Sequence, residues 1–148
     1  MVFTQEAICI GKYFTLEEAE YILPELQGGI RKLLKLKRAI TLLNSIEIDF
    51  EDYDYEYNLS NLRLNKKYHK LSYDFYKNFE LLEAKGCVIK DLDLGLVDFF
   101  SKHEGRDIFL CWRYGEKAIR YWHEIYGGYS ERKSISQLKH VKQKLKKF

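Results

Sequence analysis

The chain has 148 residues, 46% hydrophobic and 32% charged, with a net charge of +3. This composition excludes a disordered chain, and the length suffices for one domain with a core that needs no disulfide or metal staple. No charge-free run is long enough to cross a bilayer, and the opening MVFTQEAICIGKYF lacks the basic and apolar regions of a secretory signal, so no membrane span and a cytoplasmic setting are expected.

In chain order, Val2–Thr4 and Ala7–Ile10 are candidates for a small strand. Thr15-Leu16-Glu17-Glu18 forms a capping box and predicts a helix from Leu16. Apolar residues follow at Leu16, Ala19, Leu23, Leu26, Ile30 and Leu33, a heptad-like stripe suited to packing on another helix. Pro24 interrupts it, because proline removes a backbone donor and clashes with the preceding turn. The spacing predicts a short helix over 16–23 and a longer one over about 25–46. Residues 47–58 nearly alternate acids with aromatics and read as an acidic connector, or as a patch that docks something basic. Leu64, Tyr68, Leu71, Phe75, Phe79 and Leu82 mark a second long helix over about 61–85, ended by Gly86. The two long helices are expected to form an antiparallel hairpin.

After Gly86 the period changes to two. Short β-branched and aromatic runs separated by turn signals at 93–95, 103–105 and 115–116 predict a three- or four-stranded antiparallel meander over about 87–126. Ser134-Ile135-Ser136-Gln137 is a second capping-box pattern, and Ile135, Leu138, Val141, Leu145 and Phe148 continue it as a short basic amphipathic helix. The expected class is therefore α+β: one domain over 1–133 and a basic extension over 134–148.

Charge is unevenly spread. Residues 130–148 hold seven basic residues and one acid, so the remainder is net negative. Arg31, Lys32, Lys35, Lys37 and Arg38 form a second basic block, and 47–56 an acidic one. Basic residues on one helix face suit phosphate contacts, and the tail pattern also suits an anionic membrane surface.

Three cysteines (Cys9, Cys87, Cys111) with no CxxC pair argue against a disulfide framework or a zinc ribbon. No GxGxxG, P-loop, GxSxG or HExxH pattern occurs, so no catalytic set, metal or cofactor is assigned. Cys111 reads as a buried inert thiol. Asp98 stands out, since a carboxylate inside an apolar strand needs partners if buried; Arg106, Arg113 and His123 are the candidates.

FTLEEA at 14–19 and ILPEL at 22–26 precede GLVDF at 95–99, GR at 105–106, LCWRYGE at 110–116, YWHE at 121–124, Gly128 and Arg132. In this order the motifs resemble the signature of an uncharacterised prokaryotic domain-of-unknown-function family, and the likeness covers about 14–135. The resemblance implies a small cytoplasmic protein of helices and a β-meander with no assigned reaction. It also singles out Asp98, Arg106, Trp112, Arg113, Glu116, Trp122 and His123 as a candidate pocket.

Two readings of function stand. The first is a non-enzymatic binding protein for RNA, free or on the ribosome, contacting it through Arg31, Lys32, Lys35, Arg38, Arg132, Lys139, Lys142, Lys144, Lys146 and Lys147. The alternative is a small-molecule or metal-dependent enzyme with its site on the meander. A homodimer through the stripe of helix 16–46 is compatible with either.

Overall fold

The computed structural model describes residues 12–46 and 55–138. The candidate strand before Lys12, most of the acidic connector and the lysines from Lys139 onward lie outside the described residues.

Helix α1 (Leu16–Tyr21) starts as its capping box predicts: the extended Thr15 accepts the Glu18 amide on Oγ1 at 3.1 Å. Helix α2 (Leu23–Asn44) begins immediately after, with Pro24 in its first turn, where a missing N–H leaves no hydrogen bond unmade. The proline thus sets a boundary between two helices. Helix α3 (Tyr55–Glu83) starts earlier than the expected residue 61, so Tyr55–Asn58 are helical rather than connector. Glu56 in its first turn suits the positive end of the helix dipole. Gly86 closes it at φ +96°, its N–H reaching the Glu83 carbonyl at 2.9 Å. An ion pair between Lys85 and Glu25 ties the end of α3 to the start of α2. There the helices approach closely, since a Cβ on Gly29 would meet Leu82 Cδ2 at 2.4 Å.

Five antiparallel strands follow in simple order: β1 (Val88–Asp91), β2 (Leu96–His103), β3 (Arg106–Arg113), β4 (Tyr121–Glu124) and β5 (Lys133–Ser134). The meander therefore exceeds the predicted three or four strands. Its last member is a two-residue polar segment paired with Tyr121 and Trp122, too short to show a period. The β2–β3 hairpin turns through Glu104 (φ +52°) and Gly105 (φ +77°), the two positive φ values that a two-residue type I′ turn requires. The sequence after Ser134 forms a 3-10 turn, Ile135–Leu138, rather than the start of an α-helix within the described residues. Ser134 Oγ accepts the Ser136 amide there, not that of Gln137. Leu138 is buried in the core and Ile135 packs against it, so the folded unit reaches beyond the expected boundary at 133.

Alternation gives the sheet two faces. Val97, Phe99, Ile108, Leu110, Trp112 and Trp122 pack with Phe14, Ala19, Leu23, Leu26, Ile30 and Leu33 into the core. The heptad stripe expected to drive a homodimer is thus used inside the chain. Beyond Leu33 on α2, and before Leu82 on α3, no described residue is fully buried; Leu34, Phe75 and Phe79 still pack partly buried against the core, and the rest of these two stretches is half-buried or exposed. No helix among the described residues is long and apolar enough to cross a membrane.

Gly95, between β1 and β2, has φ +68°, and a Cβ there would lie 2.5 Å from Tyr114 Cβ. Left-handed backbone and a clash act together. Gly95→Ala is expected to cost about 2 kcal/mol or more, read as a lower urea midpoint at unchanged slope.

Candidate functional site

The polar residues of the apolar strands meet on the sheet face opposite the core. Alternation turns Asp98 away from Val97 and Phe99, and the register sets it opposite Cys111 of β3. His123 of β4 lies opposite Phe109, on the same face as Cys111. Three adjacent strands therefore each contribute one polar group. Asp98, Cys111 and His123 are each only 1% exposed.

His123 Nε2 lies 3.1 Å from Asp98 Oδ2, and Nδ1 lies 2.8 Å from the Glu124 carbonyl. A carbonyl only accepts, so Nδ1 carries a proton and donates it. The bond to Asp98 is the main reason the His123 pKa is raised above its usual value, against the opposing effect of burial. Burial first, and then the Asp98 charge, push the Cys111 thiol up to about 12. Asp98 Oδ1 is buried and has no hydrogen-bond partner among the described residues. Phe109 flanks the imidazole at 5.4 Å between ring centroids and packs, tilted by 46°, against Phe100 at 4.4 Å.

This arrangement does not form a nucleophilic triad. A general base must present one nitrogen to the thiol, and here Asp98 and the Glu124 carbonyl occupy both. The raised thiol is the neutral, unreactive form. The set matches metal ligation in donor type: a carboxylate oxygen, a sulfur and an imidazole nitrogen, all within 4.8 Å of one another.

Beside it runs a network centred on Arg132. Its Nη2 lies 2.8 Å from both Glu116 carboxylate oxygens, and the guanidinium sits 4.0 Å over the Tyr121 ring and 5.0 Å from that of Tyr129. Glu116 also accepts the Arg113 amide at 2.9 Å, and its carbonyl accepts Trp112 Nε1–H at 2.8 Å. Arg113 in turn donates to the Tyr129 hydroxyl at 2.9 Å. Arg132, expected to act with the basic tail, is instead held within the sheet by Glu116 and two tyrosines.

The structure divides the seven residues of the candidate pocket among two polar groups, a surface ion pair and the core. Asp98 and His123 pair directly, and Arg113 and Glu116 join the Arg132 network. Trp112 and Trp122 are core side chains of the opposite face. Arg106 pairs with Glu124 at 3.1 Å. Of the three partners considered for Asp98, the structure selects His123. A cavity of about 700 Å³ lies at the core edge against Phe14, Leu16, Ile108, Leu110 and Leu138, and none of the seven lines it. Motif and composition leave out Cys111 as a member of the cluster, together with Tyr121 and the Glu124 carbonyl. The signal that points to the cluster is alternation, since Asp98, Cys111 and His123 each follow an apolar core residue by one position.

On the hairpin, Arg31, Lys32, Lys35 and Arg38 are exposed, as are Arg63, Lys66, Lys67, Lys70 and Lys77 of α3. Residues 30–46 and 55–78 carry ten basic and two acidic side chains, whereas the other described residues carry ten basic and fourteen acidic ones. Lys37 forms an ion pair with Asp93, and Arg31 donates to the Tyr114 hydroxyl at 3.3 Å.

A helical pair on a five-stranded meander, with this buried cluster on the sheet face opposite the helical core, defines the class. The chain belongs to an uncharacterized conserved protein family, DUF2203, whose family model matches residues 12–135. It matches no curated protein and no solved structure.

Proposed function

We propose that the protein is a non-enzymatic RNA-binding protein whose hairpin lies along a phosphate backbone. The observation that carries this reading is the separation of charge: residues 30–46 and 55–78 of the helical hairpin are net +8, with nine of their ten cations exposed, while the other described residues are net −4. Such an asymmetry steers and orients a polyanion, and its affinity comes from counterion release. At about 1.5 Å per residue, the 29 residues of α3 extend roughly 40 Å, enough to span several nucleotides. Lys66, Lys70, Tyr73 and Lys77 recur at helical spacing, and Tyr73 and Tyr76 are both exposed. Exposed aromatics among cations suit unstacked bases, which favours single-stranded or looped RNA over duplex. The tail lysines Lys139, Lys142, Lys144, Lys146 and Lys147 add to the same charge.

Anisotropy of a labelled single-stranded RNA, titrated with protein at several salt concentrations, tests the reading. Wild type is compared with a chain ended after Leu138, which removes the tail lysines and keeps every described residue, and with the quadruple Arg31/Lys32/Lys35/Arg38→Gln variant. Affinity that falls with salt and falls further in the quadruple variant supports it. A wild type that does not bind at low salt, or a quadruple variant that binds as tightly as wild type, refutes it. Cosedimentation of the full chain with ribosomes then separates ribosomal from free RNA.

A further inference from the structure

We propose that Asp98, Cys111 and His123 form an enclosed binding site for a thiophilic divalent transition metal of the zinc class. The sulfur and imidazole donors select such an ion over magnesium or calcium, which take oxygen ligands.

The geometry carries the proposal. His123 Nε2 and Asp98 Oδ2, at 3.1 Å, already have nearly the separation of two ligands on one tetrahedral ion, about 3.3 Å from ordinary bond lengths. With all three donor atoms within 4.8 Å of one another, an inward shift of the Cys111 sulfur completes the set. His123 Nδ1–H is fixed by the Glu124 carbonyl at 2.8 Å. That is the support a metal-ligating imidazole ordinarily has, and it aims Nε2 at the cluster.

A second observation is independent of these distances. Asp98 is 1% exposed, yet its Oδ1 has no partner among the described residues. An unpaired buried carboxylate oxygen is costly, and coordination through both oxygens removes that cost while filling a fourth ligand position.

The exchange balances. One divalent ion enters, the Cys111 thiol and His123 Nε2 each release a proton, and the enclosure keeps its charge. No electron is transferred. The ligands come from β2, β3 and β4, so the ion ties three neighbouring strands on the sheet face opposite the helical core. The enclosure marks the site as structural rather than catalytic, because catalytic metals keep an open position.

The test uses the full chain, purified under reducing conditions without a chelator or a histidine tag. Elemental analysis is expected to find one zinc-class ion per chain. Cobalt substitution is expected to give a near-ultraviolet thiolate-to-cobalt band in wild type, lost in Cys111→Ser. Cys87, also buried, donates to the Leu82 carbonyl, so the serine variant assigns the band. Zinc is expected to raise the Tm of wild type and not that of Cys111→Ser, with far-ultraviolet circular dichroism confirming that the variant folds. If Cys111→Ser does not fold, loss of the band in Asp98→Asn decides. A folded, reduced wild type with no stoichiometric ion and no cobalt band overturns the site, as does a band that persists in every folded variant.

Discussion

Replacing Arg31, Lys32, Lys35 and Arg38 together by glutamine is expected to weaken binding to single-stranded RNA several hundredfold at about 0.1 M salt. Each phosphate neutralised on a single strand contributes about 0.7 to the slope of log affinity against log salt. Four lost contacts therefore lower that slope by roughly three, and the affinity deficit shrinks as salt rises. Stability should barely change, because all four side chains are exposed and substitutions of this kind shift stability by only about 0.5 kcal/mol. Removing the residues after Leu138 should lower the slope separately, and the two effects should add if tail and hairpin hold different phosphates. Binding that is insensitive to salt would mean that backbone charge is not what the hairpin recognises.

Features set by local chemistry are legible in the sequence alone. Thr15 with Glu18, Pro24 and Gly86 each act through the backbone within a turn or two, and each fixes a helix end near its expected place. The start of α3 escapes such a reading because acid–aromatic alternation over 47–58 mimics a strand period, while the helix stripe begins only at Leu64. β5 escapes it because Lys133-Ser134 has neither length nor an apolar face, and its pairing depends on where β4 already lies. The site divides in the same way. Asp98 is conspicuous as a charge among apolar neighbours. Its choice of His123 over Arg106 or Arg113 depends on the register of three strands, information spread over 25 residues. Arg132 groups with the tail by sequence because counting charge along a chain cannot see the carboxylate that Glu116 brings from 16 residues away. Charge read from sequence predicts an interface only for groups the fold leaves unpaired, and the hairpin block meets that condition better than Arg132.

Asp98→Ala is expected to destabilise the chelator-treated protein by about 3 kcal/mol, near the cost of removing one member of a buried ion pair. Without the carboxylate, buried His123 loses its charge and Nε2 loses its acceptor. The pH dependence distinguishes this from simple loss of packing. His123 has a folded pKa raised above its usual 6.5, chiefly by the hydrogen bond to Asp98. The folded state therefore holds more protons than the unfolded chain between those two values, and stability must fall with rising pH across that window. The pair's contribution is fully present below about pH 6.5 and is lost as pH rises through the folded value. Urea denaturation at a series of pH values should show that decline in wild type and a flatter profile in Asp98→Ala. Replacing both partners, Asp98→Leu with His123→Phe, should recover much of the lost stability, since apolar pairs of similar volume commonly match a buried ion pair. It should also abolish zinc stabilisation, which separates what the pair does for the fold from what the cluster does for an ion. An Asp98→Ala variant as stable as wild type, with the same pH profile, would show that the pair adds nothing to the sheet.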